Sequence, residues 1–271
     1  MIQSFSDPAG GTAITTRRRD GTTTNYLPRG SYEFPKPLHV GSIGRQGIDT
    51  PLLQSLAAAW GEADWDQVWE SIIAFNAANT DAMDTPEHVE FVLLSGAFER
   101  LLDCRRGNED ELAGRFTAAF QPTDPTDPRA CDRTQPHVDR FRRSKSVAEI
   151  WLRDFFRVRG HLAHGRISPG HPAIWSLPEH LLLASYCFPL IVKLVVNARG
   201  LYELTRDDRE AIDWFERFAS IRAFEATGDP DDQSSFPWNQ VKSERTSERI
   251  RRGIEQQIRQ MGWPEDVESE S

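Results

Sequence analysis

Fifteen residues at 151–165, WLRDFFRVRGHLAHG, gather more chemistry than any other stretch of the chain. Arg157, Arg159, His161 and His164 fall there within eight positions. Histidine takes or gives a proton near neutral pH. Arginine stays charged and presents a planar fork that suits a phosphate. Together they suit proton transfer beside a bound phosphate. A plainer reading stands next to this one, because basic groups are favoured at a helix C-terminus by the macrodipole whatever they do.

Other chemistries find less support. His161, His164, His171 and His180 match no zinc spacing, no cysteine joins them, and no HExxH is present. Neither a metal nor a cofactor is expected, and a Gly-rich phosphate loop and a GxSxG nucleophile elbow are also missing from the sequence. Cys104, Cys131 and Cys187 are odd in number and widely spaced. They suit a reducing cytosol rather than a disulfide framework, so a cytoplasmic protein is expected. Trp175 and Trp238 fall in sequence read as loop; they could stack on bases, but packing is the expected role.

The elements that must hold these residues read as helices. Trp151, Phe155, Val158 and Leu162 form one stripe of a helix spanning about 144–164. Upstream, Thr50-Pro51 and Thr85-Pro86 each place a capping residue before a proline. The second opens a helix to about Cys104 with Val89, Val92, Leu93, Phe98, Leu101 and Leu102 apolar. Helices are also expected at 64–79, 110–120 and 177–204, with Pro189 a kink in the last. Thr205 and Asp208 make a variant capping box before Ile212, Phe215, Phe218, Ile221 and Phe224. Residues 121–136, with four prolines, read as an exposed loop.

With 38% apolar and 27% charged residues over 271 positions, the chain can bury a substantial core. The expected architecture is all-α: an irregular N-terminal arm at 1–47, a helical bundle at 48–226, and a peripheral C-terminal helix with an acidic tail at 227–271. Short extended pieces are conceivable at 22–26 and 38–43. No leader is expected, because no apolar run follows the basic triplet at 17–19. The most apolar stretch, 181–196, is short of a membrane span and contains Lys193, so it reads as a buried helix. The net charge of −9 argues against indiscriminate nucleic-acid coating. Residues 129–166 run the other way, with ten Lys and Arg against four Asp and Glu. Such a segment suits a nucleic-acid backbone or serves as a solvated helix face.

Arg159 and His164, with four residues between them, resemble the Arg-x4-His signature of the HEPN superfamily. Residues 76–103 resemble the first long helix of its ApeA-like branch, with Ala97, Glu99, Leu101 and Leu102 on the Ala-x-Glu-x-Leu-Leu pattern. About residues 60–204 are covered. Gly160 departs from the polar residue that usually follows the arginine, and Arg157 also satisfies a looser spacing to His164. The resemblance implies a HEPN-like bundle acting on RNA as a metal-independent endoribonuclease, in antiphage defence or a toxin-like stress response. It implies a homodimer, since acid and base need two groups and a two-fold axis brings two Arg/His pairs to one cleft. His164 would handle protons and Arg159 the phosphate, with His161 and Glu99 assisting; a regulatory or antitoxin protein is a possible partner, and no membrane is implied. The alternative is a non-catalytic HEPN module binding RNA, nucleotide or a partner protein, and a scaffold with an incidental Arg/His pair is a third reading.

Overall fold

The computed structural model describes residues 2–6, 12–17, 23–25, 49–62, 65–79, 86–104, 108–163, 173–225, 227–229 and 235–261. From residue 49 onward, the regular elements of the described chain are helices: α1 (Thr50–Ala58), α2 (Asp66–Ala78), α3 (Glu87–Leu101), α4 (Glu109–Ala119), α5 (Val147–Ala163), α6 (Leu177–Ala198), α7 (Arg206–Ser220) and α8 (Pro237–Gln260). The fold is all-α.

The arm expected to be irregular carries an antiparallel meander of β1 (Ile2–Ser6), β2 (Thr12–Arg17) and β3 (Thr23–Asn25). Ile2 pairs with Thr16 and Thr15 with Asn25. β-Branched threonines favour such a ladder, and β3 falls within the extended piece read at 22–26. The piece at 38–43 lies outside the described residues.

Local chemistry sets the helix starts. The Asp49 carboxylate, rather than Thr50, caps α1 by accepting from the Leu52 amide at 3.1 Å. Full capping boxes open α6 (Ser176 with Glu179) and α7 (Thr205 with Asp208). α6 continues through Pro189. It is the one helix among the described residues long and apolar enough to cross a membrane, and more than half of its most apolar window is buried inside the bundle.

α3 packs on both α5 and α6 at the centre, with α2, α4 and α7 around them. Phe91, Phe98, Trp151, Phe155, Phe188 and Phe215 are fully buried there. The Phe98 ring meets those of Trp151 and Phe188 edge-on, with centroids 6.1 and 5.4 Å away. Below Trp151, the buried Asp154 accepts from the Ile174 and Trp175 amides at 2.8 and 3.4 Å and lies 3.3 Å from His180 Nε2. Burial pushes the Asp154 carboxyl up, but His180 and the two amides outweigh it and hold the group below the usual range. His180 is therefore a core histidine, tying α5 to the start of α6.

Three expectations need correction. Residues 121–136 are not simply an exposed loop: Cys131, Arg133 and Thr134 are buried. Arg133 grips Glu179 with two nitrogens at 2.8 and 2.6 Å, and it also donates to the carbonyls of Ile174 and Ile221. Prolines keep an α-helix from forming there, leaving a short 3-10 helix at Gln135–His137, without dictating exposure. α7 ends at Ser220, so Ile221 and Phe224 pack beyond it. α8 starts at Pro237, inside the stretch read as turns, because Trp238 and Val241 are buried against the bundle. Both Trp175 and Trp238 are core residues, which removes base stacking by either. The far half of α8 is peripheral as expected, with Ile250, Ile254 and Met261 exposed.

Candidate functional site: an arginine in an open cleft

The last two turns of α5 divide their basic residues between two sides. Residues two apart on a helix project about 200° apart, and Arg157 and Arg159 do so. Arg157 donates from Nε and Nη2 to Glu109 at 2.6 and 2.9 Å, and its guanidinium lies over the Phe141 ring, 4.6 Å from the centroid. One turn earlier, Arg153 donates to Glu149, Glu109 and Asp110. These two arginines clamp α5 to the first turn of α4. Their charge is matched by carboxylates.

Arg159 is held differently. Its Nη2 makes a single long bond to Glu99 Oε2, at 3.4 Å, and its guanidinium lies 5.6 Å from the Phe156 ring. Arg159 Nε and Glu99 Oε1 are shielded from solvent and have no hydrogen-bond partner. Both residues line a cleft of about 430 Å3 between α2, α3 and the end of α5, together with Gln67, Leu93, Gly96 and Cys104. Ala97, Leu101 and Leu102, the apolar members of the pattern around Glu99, are buried beneath it. That packing fixes the turn of α3 from which Glu99 projects. Burial pushes the Glu99 carboxyl up, and although Arg159 and Arg100 pull the other way, it stays above its ordinary range. The site thus pairs a strong cation with a carboxyl poorly solvated as an anion. An incoming phosphate oxyanion would compete well for such an arginine.

The structure thus brings Arg159 and Glu99 together, sixty positions apart in the chain. It does not bring His161 to them: that residue projects from the other side of α5 and is not part of the cleft lining. His164 follows Ala163, the last residue of α5, and lies outside the described residues, as does His171. Gly160 is helical, and a Cβ added there meets nothing within 4 Å, so packing does not demand a glycine. Among the described residues no three His, Cys, Asp or Glu side chains are placed to hold a metal. Sequence reasoning missed Cys104 as a cleft residue and Glu109 as the partner of Arg157. Ion pairs between helices have no spacing rule that reveals them. Compared with protein-family models, curated proteins and solved structures, the chain matches none.

Proposed function

We propose that this protein is a metal-independent endoribonuclease of HEPN type, acting as a two-fold dimer, with Arg159 binding the scissile phosphate. The observation that carries the reading is the contrast within α5. Arg157 is locked by Glu109 at short distance, whereas Arg159 stands in an open cleft on one long bond. That contrast favours Arg159 over Arg157 as the motif arginine.

In this reading the RNA 2′-oxygen attacks the adjacent phosphorus while the bond to the 5′-oxygen breaks. His164 of one protomer takes the 2′-OH proton, and His164 of the other protonates the leaving oxygen. Arg159 donates hydrogen bonds to the non-bridging oxygens as charge builds on them. Glu99 orients Arg159 and yields it when phosphate arrives. The products are a 2′,3′-cyclic phosphate and a 5′-hydroxyl. His161, on the far side of α5, takes no part. A defence or toxin-like role, a cytoplasmic location and a restraining protein partner belong to the same proposal and rest on the resemblance alone.

The test is cleavage of a labelled mixed-sequence RNA in EDTA by wild type, Arg159→Ala and His164→Ala, each checked for folding and dimerisation. Cleavage by wild type alone, leaving cyclic phosphate ends, supports the assignment; equal cleavage by all three overturns it. The second reading, a non-catalytic RNA-binding module, is favoured by Gly160 beside Arg159. RNA binding without cleavage supports that reading, and Gly160→Asn, for which there is room, then tests whether the missing polar residue is the cause.

A further inference from the structure

We infer that residues 129–145 form a phosphate-binding track that holds the backbone of a single-stranded RNA alongside α5. The inference rests on the RNA reading above but concerns residues outside the Arg159 cleft. Two clefts of about 480 and 340 Å3 adjoin here and share Asp139, Phe141, Arg142 and Ser144 as walls. Arg129, Arg140, Arg142, Arg143 and Lys145 are all exposed around them. Arg129, Arg143 and Lys145 make no ion pair among the described residues, and Arg142 reaches Asp139 only at 3.5 Å with both side chains largely in solvent. A pair like that restrains its arginine little. By contrast, the other basic residues nearby are already neutralised: Arg133 by Glu179, Arg153 and Arg157 by the carboxylates at 109, 110 and 149.

Position and shape point to RNA rather than to an anionic membrane. The smaller cleft runs down to Arg153 and Arg157. Arg157 and Arg159 project about 200° apart on α5, so the smaller cleft and the Arg159 cleft lie on opposite sides of that helix. Ser144 Oγ, shielded from solvent and without a partner, lies in the wall common to both clefts, where a phosphate oxygen would accept its proton. An amphipathic anchor at a bilayer surface inserts an apolar face. This segment exposes no large apolar side chain, and Phe141 is buried beneath Arg157.

The experiment is fluorescence anisotropy of a labelled single-stranded RNA against salt concentration. It compares Arg159→Ala, which prevents cutting, with the same protein carrying Arg129→Gln, Arg142→Gln, Arg143→Gln and Lys145→Gln. Each single-strand phosphate contact contributes about 0.7 to the slope of log affinity against log salt. Loss of four contacts flattens that slope by up to about 3, so between 50 and 200 mM salt the parent loses about 50-fold more affinity than the four-Gln variant. Equal slopes, no RNA binding by the parent, or binding only to phosphatidylserine vesicles each overturn the track. The four-Gln variant with Arg159 intact separates the two proposals. If the slopes differ but wild type does not cut RNA, the track stands without the nuclease. If wild type and the variant cut equally well and the slopes coincide, the reverse holds.

Discussion

Glu216 offers the sharpest quantitative prediction. It projects from α7, is 1% exposed, and faces the N-terminus of α5, where its two carboxylate oxygens accept from the Ala148 amide at 3.4 and 3.3 Å. Burial dominates over these long bonds and over the Ser146 hydroxyl and neighbouring amides, so the carboxyl is pushed up to about 7 from 4.5. The folded state therefore holds this proton to higher pH than the unfolded chain does. Stability from that proton is complete below about pH 4.5 and is lost as pH rises through about 7. At about 1.4 kcal/mol per pH unit, the loss reaches about 3 kcal/mol. Glu216→Gln keeps the shape and an acceptor but cannot ionise. Its stability relative to wild type should thus rise by about 3 kcal/mol between pH 4.5 and 8, every other titrating group cancelling in the difference. Urea unfolding followed by tryptophan fluorescence at closely spaced pH values measures this. A difference that stays flat with pH would refute the reasoning and show that the α5 amides hold Glu216 ionised after all.

Two further predictions follow from ion pairs of opposite character. Arg133→Ala strips the buried Glu179 of its partner, and breaking such a pair costs about 3–5 kcal/mol; urea midpoints should show it, and the Arg133→Met/Glu179→Gln double variant should lose less, whereas a loss under about 1 kcal/mol would mean that the pair is not sequestered. Glu99→Gln, in a partly buried pair joined by one long bond at 3.4 Å, should change stability by less than about 1 kcal/mol. It should also flatten the part of the pH dependence of RNA affinity that Glu99 causes: in wild type, affinity rises as pH falls and the raised Glu99 carboxyl takes a proton, removing a negative charge beside the phosphate. Equal pH profiles for the two proteins would sever Glu99 from phosphate binding.

The sequence revealed what is local and periodic. The Trp151 and Phe155 stripe, the Thr205 and Asp208 box and the helix opening at Leu177 are set within a few residues, and the structure has them. Where a partner lies far along the chain, the reading faltered. Arg133 looked like one more solvated cation because nothing near it announces Glu179, forty-six positions on. Trp238 looked like loop because the turn residues before it hid a proline start at Pro237. Glu99 and Arg159 were linked only through a resemblance, not through any rule of spacing, and their meeting at 3.4 Å is a tertiary fact.

The basic segment shows why charge must be weighed after folding. Counted along the chain, residues 129–166 hold ten cations and invite a single electrostatic explanation. In the fold the nine that are described divide by burial. Arg133, Arg153 and Arg157 face carboxylates at 3.3 Å or less: the last two brace α5 against α4, and Arg133 ties its own turn to the first turn of α6. Had all ten been functional, α5 would lack the clamps that fix its end, and Arg159 could not be presented at a defined place. Had all ten been structural, Arg159 would not be left on one long bond in an open cleft. α5 meets both needs because one face is buried against α3 and α7, a second is pinned to α4, and only its C-terminal end opens to the cleft. Removing a clamp should therefore damage the site without touching it, and removing Arg159 should leave the bundle standing.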